Sequence, residues 1–432
     1  VLILSLFNIS KEKAVKSKEI QIDDGTLLNE EGYHEGINDD THAEKKESIW
    51  NKKIKFSDLT KVKSGYENIQ FKIEKHKNER PVRPKSVRIT ALDIGSSEIK
   101  IVEGQVKAGK IKVYNMKKIK SPENIISDGE IYNQDSFLLQ IKETIKSANI
   151  KTKNLAIVSS SSTIISRELV VPYVEKYEEL RSLVNYEIQQ FLSINLNNYV
   201  VQFMKLGEVV VDEVRKQRIF AIIYPKNIVD SYRNLAASLS LNPYSLDITN
   251  NSIRKLNFLS NVYNSDLIDK NEVSMYIDLG SNNINISILN KGKLEFIRVM
   301  PTGGSEIDKF IASYIQVSIS EAEEIKKNEV DVSLNREENG LNEGVVEIIE
   351  EWVSNLTRII QFYTNKSAGQ KVKHIYLYGG TSKLKGIDQY IAIRTEIDAI
   401  KIRTVDNIEF DKNLNTTTIE EYINALGALI RL

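Results

Sequence analysis

Two hydrophobic rhythms run along the chain from Arg88 onward. Short apolar runs with alternating or continuous burial predict strands, and stretches with an apolar residue every three or four positions predict helices. Ala91-Leu92-Asp93-Ile94-Gly95-Ser96-Ser97 leads into Glu98-Ile99-Lys100-Ile101-Val102, a buried strand, a glycine turn and a returning strand. The same grammar returns as Tyr276-Ile277-Asp278-Leu279-Gly280-Ser281-Asn282-Asn283 followed by Ile284-Asn285-Ile286-Ser287. Each copy runs on into a second turn of glycine and lysine, Gly109-Lys110 and Lys291-Gly292. The recurrence predicts a duplicated half-domain whose two hairpins face each other as a phosphate clamp.

Between the hairpins the pattern stays α/β. A third strand spans Lys110 to Lys118, a helix Asp135 to Ala148, and a buried strand Asn154 to Ser160. Glu168 to Tyr173, Tyr199 to Val211 and Gln217 to Tyr224 read as strands. Leu180, Leu183, Val184, Ile188, Phe191 and Leu192 mark a helix between the first two, taken as core of a small subdomain. A helix over Asn227 to Ser240 and a short strand over Tyr244 to Ile248 follow.

The second half opens near Glu272. It has a turn at Pro301-Thr302-Gly303-Gly304, a helix carrying Ile307, Phe310, Ile311 and Tyr314, and a second helix from near Ser320. A polar loop is expected over Lys327 to Asn342, a helix over Val345 to Tyr363, and a buried strand over His374 to Tyr378 running into Gly379-Gly380. A last helix is expected over Thr418 to Arg431.

Residues before Val87 break the rhythm. Acidic residues crowd the first part, from Asp23 to Asp40, and lysines the second. Apolar residues there are sparse and unphased, so the segment is expected to stay mostly disordered. The 432 residues allow two to four domains or subdomains, with a formal net charge of zero. No global basic field argues for nucleic acid. The absence of cysteine excludes disulfides and thiolate metal sites, and fits a reducing compartment. Four scattered histidines form no metal cluster, and no apolar run approaches the ~20 residues of a membrane span.

The chemistry follows from what a triphosphate needs. Backbone N–H groups must come close to phosphate oxygens, which favours glycine in the turn. A carboxylate must hold Mg²⁺, usually through water. Asp93 and Asp278 supply the acids, Gly95, Ser96, Ser97, Gly280 and Ser281 the turns, and Lys100 either reaches a phosphate or faces solvent. One Asp-x-Gly-Ser hairpin is a common turn; two in register, with Tyr378-Gly379-Gly380-Thr381, are far more specific.

These motifs resemble the actin-like ATPase superfamily, which includes actin, Hsp70, sugar kinases and FtsA, and within it the PilM family of type IV pilus assembly. Asp93 to Lys100 is similar to the first phosphate motif, Asp278 to Ser281 to the second, and Arg298 to Gly304 to the Gly-Gly turn after it. Ala322 to Lys326 resembles the helix that borders the nucleotide, Tyr376 to Ser382 the adenosine motif, and Asn424 to Leu429 the closing helix. Val170-Val171-Pro172, Glu178-Glu179-Leu180 and Tyr186 to Phe191 resemble the inserted subdomain called 1C. The end at Arg431-Leu432, without the linker and amphipathic helix expected of FtsA, favours PilM.

The resemblance implies an α/β actin-like ATPase fold, that is, a duplicated ribonuclease H-like fold. Residues 1–87 would be the extension, 88–166 and 226–270 subdomain 1A, 167–225 the inserted 1C, 271–404 subdomains 2A and 2B, and 405–432 a closing segment. It implies ATP and Mg²⁺ as ligands. Asp93, Gly95, Ser96, Ser97, Lys100, Asp278, Gly280, Ser281 and Asn282 would hold phosphate, with Asp93 and Asp278 reaching Mg²⁺ through water. Gly303, Gly304, Glu323, Lys326, Gly379, Gly380 and Thr381 would hold base and ribose.

For Glu323 a second reading stays open: Ser320 with Glu323, or Ser318 with Glu321, fits a helix capping box. Asn282, Asn283 and Ile284 stand where the family often has threonines, and no counterpart of a water-positioning glutamine or threonine is visible, so slow, switch-like hydrolysis at most is expected. The resemblance further implies a cytoplasmic protein at the inner face of the cell membrane. It would hold the N-terminal tail of a PilN-like membrane protein between 1A and 1C, couple it to the pilus motor ATPase, and allow self-association. An FtsA-like filament protein and a small-molecule kinase are the alternatives.

Overall fold

The computed structural model describes residues 86–431 except 123–125, 133, 337–338, 368 and 415–418. The charged extension expected up to residue 87 lies outside the described residues apart from its last two.

In chain order the first part holds β1 (Arg88–Ile94), β2 (Glu98–Lys107), β3 (Lys110–Lys120), α1 (Gln134–Ser147) and β4 (Asn154–Ser159). There follow β5 (Ile165–Pro172), α2 (Tyr177–Phe191), β6 (Tyr199–Val211), β7 (Val214–Pro225), α3 (Lys226–Ser238), β8 (Asn242–Ile248) and α4 (Thr249–Leu259). The second half holds β9 (Val273–Leu279), β10 (Ile284–Asn290), β11 (Lys293–Met300), α5 (Gly304–Ile315), α6 (Ile319–Asn328) and α7 (Gly340–Lys366). Last come β12 (Val372–Tyr378), α8 (Ile387–Thr395), β13 (Asp398–Lys401), β14 (Ile408–Phe410) and α9 (Ile423–Ala428).

The duplication is visible in the sheets. The first runs β8-β4-β1-β2-β3-β14 and the second β11-β10-β9-β12-β13. In each half the third, second, first, fourth and fifth strands therefore lie side by side in that order. The first three pair antiparallel, and the other two join parallel. The hairpins also share a register, with Asp93 opposite Lys100 and Asp278 opposite Asn285. All seven residues of β9 are buried, as expected for a central strand covered on both faces. β14 adds to β3, so the late chain returns to the first sheet.

The distal turns are tighter copies of one another than the sequence reading placed them. Ala108 and Gly109 have φ of 51° and 80°, and Lys291 and Gly292 have φ of 50° and 70°. Both central residues of each turn are thus left-handed, the geometry that suits a twisted two-residue hairpin. The true counterpart of Lys291-Gly292 is Ala108-Gly109.

The inserted region forms its own sheet, β5-β7-β6, with α2 against one face. Leu180, Val184 and Ile188 of α2 are fully buried with Leu169, Phe203 and Ile219. Each such side chain contributes about 1.5–3 kcal/mol of burial. Phe191, expected in this core, is 54% exposed and lies under the Arg167 guanidinium, 4.3 Å away.

Two further expectations change. The polar stretch Lys327 to Asn342 is partly helical, because α6 runs to Asn328 and α7 starts at Gly340 on an Asn339 cap. The closing helix is confined to Ile423–Ala428, and the Thr418 end of the expected span lies outside the described residues. There the chain crosses α4 closely: a Cβ on Gly427 would sit 2.6 Å from the Ser252 carbonyl carbon.

α4 itself was not read from the sequence. Its Asn250 donates to the Ile286 carbonyl (3.2 Å) and to Ser287 Oγ (2.8 Å), and Asn257 donates to the Tyr276 hydroxyl (2.5 Å). Lys255 pairs with Asp247 at 2.6 Å and donates to the Ile430 carbonyl at 3.0 Å. Asn250, Lys255 and Asn257 thus find protein partners for their buried polar groups, while the buried Thr249 and Ser252 hydroxyls have none among the described residues.

Candidate functional site

The two acid–glycine hairpins build the site from the backbone up. Gly95 N–H donates to the Glu98 carbonyl at 3.2 Å, and Gly280 N–H to the Asn283 carbonyl at 3.1 Å. A Cβ would sit 2.7 Å from the first acceptor and 2.6 Å from the second, so each turn closes only on glycine. Gly379, just after β12, has φ of +91°. A Cβ there would press on the Asp278 carboxylate and lie 2.7 Å from the Leu279 carbonyl oxygen.

These turns border a cleft of about 580 Å³, within the roughly 300–1,000 Å³ of small-ligand sites. Fourteen of the sixteen residues named from the sequence line it. Gly303 and Gly304 do not, and they stand behind the second hairpin instead. Gly304 N–H donates to the Gly280 carbonyl (3.0 Å) and Ser305 N–H to the Ser281 carbonyl (2.9 Å). Thr381 Oγ1 donates to the same Gly280 carbonyl at 3.0 Å. The second turn is thereby fixed from two sides.

Lysine positions resolve in the same way. The Lys100 side chain is 13% exposed and lines the cleft, 3.6 Å from Glu98. Lys326 pairs with Asp308 at 2.7 Å and donates to the Gly304 carbonyl at 3.1 Å. The capping box is made by Ser318 and Glu321, whose carboxylate accepts from Ser318 N–H at 2.9 Å. Glu323 is left out of the cap; it pairs with Lys327 at 3.0 Å and lines the cleft.

Asp93 and Asp278 are 8% and 6% exposed. Burial pushes the Asp93 carboxyl up to about 6, against the opposing pull of Lys100 and Asn424. Burial pushes Asp278 up to about 7, with Asn424 opposing and the Asp93 charge adding. Asn424 Nδ2 donates to Asp278 Oδ2 at 2.9 Å and Asn285 Nδ2 to the same oxygen at 3.5 Å. Ser160 Oγ, from the turn after β4, donates to Asn285 Oδ1 at 2.6 Å.

Two incompletely compensated carboxylates form a hard-oxygen donor set, and Asn424 Oδ1 is buried beside them without a partner. Among the described residues no group of three or more His, Cys, Asp or Glu converges on a metal. The set fits a cation that keeps several waters, such as Mg²⁺.

Sequence reasoning missed Asn285, Ser160 and Asn424 as site residues. Asn285 occupies the register position of Lys100, so aligning the two hairpins would have exposed it. Nothing local marks Ser160. Glu421, which holds Lys118 at 3.2 Å and Lys383 at 2.8 Å along one rim, is likewise visible only in three dimensions.

The model of one protein family, type IV pilus assembly protein PilM, matches residues 91–430. Among solved structures, the PilM-PilN type IV pilus biogenesis complex is similar with a TM-score of 0.69 and 19% identity, over 80% of this chain and 98% of that one. Ethanolamine utilization protein EutJ from Carboxydothermus hydrogenoformans has a TM-score of 0.48 and 15% identity, over 81% of this chain and 91% of its own. Cell division protein FtsA of Bacillus subtilis (strain 168) is 22% identical over 259 residues, 55% of this chain and 57% of FtsA. The chain thus spans little more than half the length of that relative. The actin-like ATPase fold expected from the motifs is the fold observed.

Proposed function

The chain belongs to the PilM family of type IV pilus assembly proteins, and from that premise we propose that it is a nucleotide-dependent assembly protein of the pilus inner-membrane platform. The observation that carries the nucleotide reading is the pair of acid–glycine hairpins bracketing one cleft of about 580 Å³. Mg·ATP enters with its phosphates between the two turns. Asp93 and Asp278 hold Mg²⁺ through its waters, Lys100 meets phosphate charge, and Glu323, Lys326 and the Gly379–Thr381 loop border base and ribose. Any hydrolysis is slow and acts as a switch.

The partner is the N-terminal tail of a PilN-like membrane protein, held between 1A and 1C, and the complex couples to the pilus motor. The PilM-PilN complex among the structural relatives supports this partner class. Exposed apolar side chains on α2, Tyr186 at 58% and Phe191 at 54%, support a docking role for the inserted sheet. Ser160 and Ser162 line the nucleotide cleft only a few residues before β5 enters that sheet, which supports coupling between the two. Membrane contact on this reading runs through the partner; no described helix is long and apolar enough to cross a bilayer.

The test is calorimetric titration of the full chain with the N-terminal cytoplasmic peptide of the PilN-like protein of the same organism, with and without Mg·ATP. Micromolar binding, about −8 kcal/mol, that shifts with Mg·ATP is expected. Absence of peptide binding in both conditions overturns the partner, and absence of Mg·ATP binding overturns the nucleotide reading.

A further inference from the structure

A second, larger cleft opens beside the nucleotide cleft and shares Ser162, Asn282 and Pro301 with it. It encloses about 1,580 Å³, beyond the roughly 300–1,000 Å³ of small-molecule sites. One wall is the start of β5, and the other is β11, α5 and α7.

Its charges are unevenly matched. Glu168 is held by Arg218 at 2.6 Å and Lys366 at 2.9 Å, and Glu295 by Arg218 at 3.5 Å and the Tyr363 hydroxyl at 2.9 Å. Glu306 accepts from Trp352 Nε1 at 3.4 Å and from Thr302. Four lining cations, Arg167, Arg298, Lys309 and Arg358, have no carboxylate partner among the described residues, against two lining acids without a cationic partner, Glu306 and Glu351. Between the charges lies apolar surface. Phe296 and Phe362 are in ring contact at 5.9 Å, and Phe362 is left 56% exposed.

We propose that this second cleft docks an acidic, amphipathic polypeptide segment of a partner protein. Guanidinium groups pair with carboxylates through fixed, forked donors, and three of the four unmatched cations are arginines. The aromatic floor takes the interleaved apolar side chains. The cleft's own carboxylates, Glu168, Glu295, Glu306 and Glu351, stand among its cations, which suits separated carboxylates on a peptide and opposes a continuous phosphodiester chain. The assignment is independent of the nucleotide reading.

The experiment is selection of a random-peptide display library on the full chain, followed by anisotropy titration of enriched peptides. The comparison is the Arg298→Glu, Arg358→Glu double variant; both sites are exposed, and circular dichroism checks that its fold is retained. Enrichment of peptides that interleave Asp or Glu with apolar residues is expected. Their affinity should fall about tenfold or more on charge reversal and weaken with added salt. A folded variant that binds those peptides unchanged overturns the proposal. So does a failure to enrich acidic peptides, including the case where a labelled single-stranded oligonucleotide binds instead and is lost on reversal.

Discussion

Asp278→Asn should stabilise the ligand-free protein in base and abolish its response to Mg·ATP. Burial raises the Asp278 carboxyl from 3.8 to about 7 in the fold. Its folded pKa lies above its unfolded one, so its favourable contribution is complete below about pH 4 and is lost as pH rises through about 7. At pH 8 the wild-type fold carries an ionised, poorly solvated carboxylate at a cost of about 4 kcal/mol. The amide cannot ionise, and its carbonyl can still accept from Asn424, now 2.9 Å from Asp278 Oδ2.

The variant should therefore melt about 8 °C higher than wild type at pH 8, at about 2 °C per kcal/mol. At pH 4.5 the advantage should shrink to about 1 kcal/mol. Saturating Mg·ATP, at about one hundred times its dissociation constant, adds about 2.7 kcal/mol to a protein that binds it. It should add this to wild type and nothing to the variant. The assay is thermal unfolding at both pH values with and without Mg·ATP. A variant that melts no higher than wild type at pH 8, or gains equally at both pH values, would refute the argument from burial.

Gly379→Ala places a side chain at φ +91° and 2.7 Å from the Leu279 carbonyl oxygen. It should cost at least about 1–2 kcal/mol in chemical denaturation and remove Mg·ATP binding in calorimetry. Asn424→Ala deletes a hydrogen bond that holds the Asp278 carboxyl down, so Mg·ATP binding should begin at higher pH, as followed by titrations across pH 6 to about 9. Glu321→Ala removes the capping box and should lower the denaturation midpoint with Mg·ATP affinity unchanged, whereas Glu323→Gln should alter affinity at little cost in stability. Equal effects of these last two on affinity would reject the assignment of Glu321 to the cap and Glu323 to the cleft.

What was legible in the sequence is what has a local cause. Strand alternation, the glycine demand of the tight turns and the repeated acid announced both halves, because each depends on neighbours within a few residues. α4 was illegible for the opposite reason. Asn250, Lys255 and Asn257 look like solvent-facing residues, and their partners come from β8, the second sheet and the chain's end. The capping register around Ser318 and Ser320 was undecidable from spacing alone, and it was settled by where α6 begins. Asn424 lay in a motif already noticed, but its contact with Asp278 joins residues 146 positions apart.

The two halves share a strand order and a register, yet one position separates them chemically. Opposite Asp93 stands Lys100; opposite Asp278 stands Asn285. Lys100 opposes the rise of Asp93 by charge, and acts on Asp278 as well. Asn285 can only donate a hydrogen bond to Asp278, here a long one of 3.5 Å, and is the weakest influence on that acid. The amide does what a lysine could not, because its carbonyl accepts from Ser160 at 2.6 Å. Ser160 belongs to the first half and Asn285 to the second, so this bond ties the halves together at the floor of the cleft. Separating the two halves would break it and expose the Asp278 side to water, which lowers the cost of ionising that acid. Opening and deprotonation are therefore linked on this reading, with Asn285 one of the side chains, beside Asn424, that join Asp278 to the first half. Asn285→Lys should weaken that link: the cation should lower the Asp278 carboxyl, while the loss of the Ser160 acceptor should loosen the closed state. Measured together, a downward shift of the pH midpoint for Mg·ATP binding with faster amide exchange at Ser160 is the expected pair. Faster exchange without the pH shift would refute the electrostatic half of the reasoning.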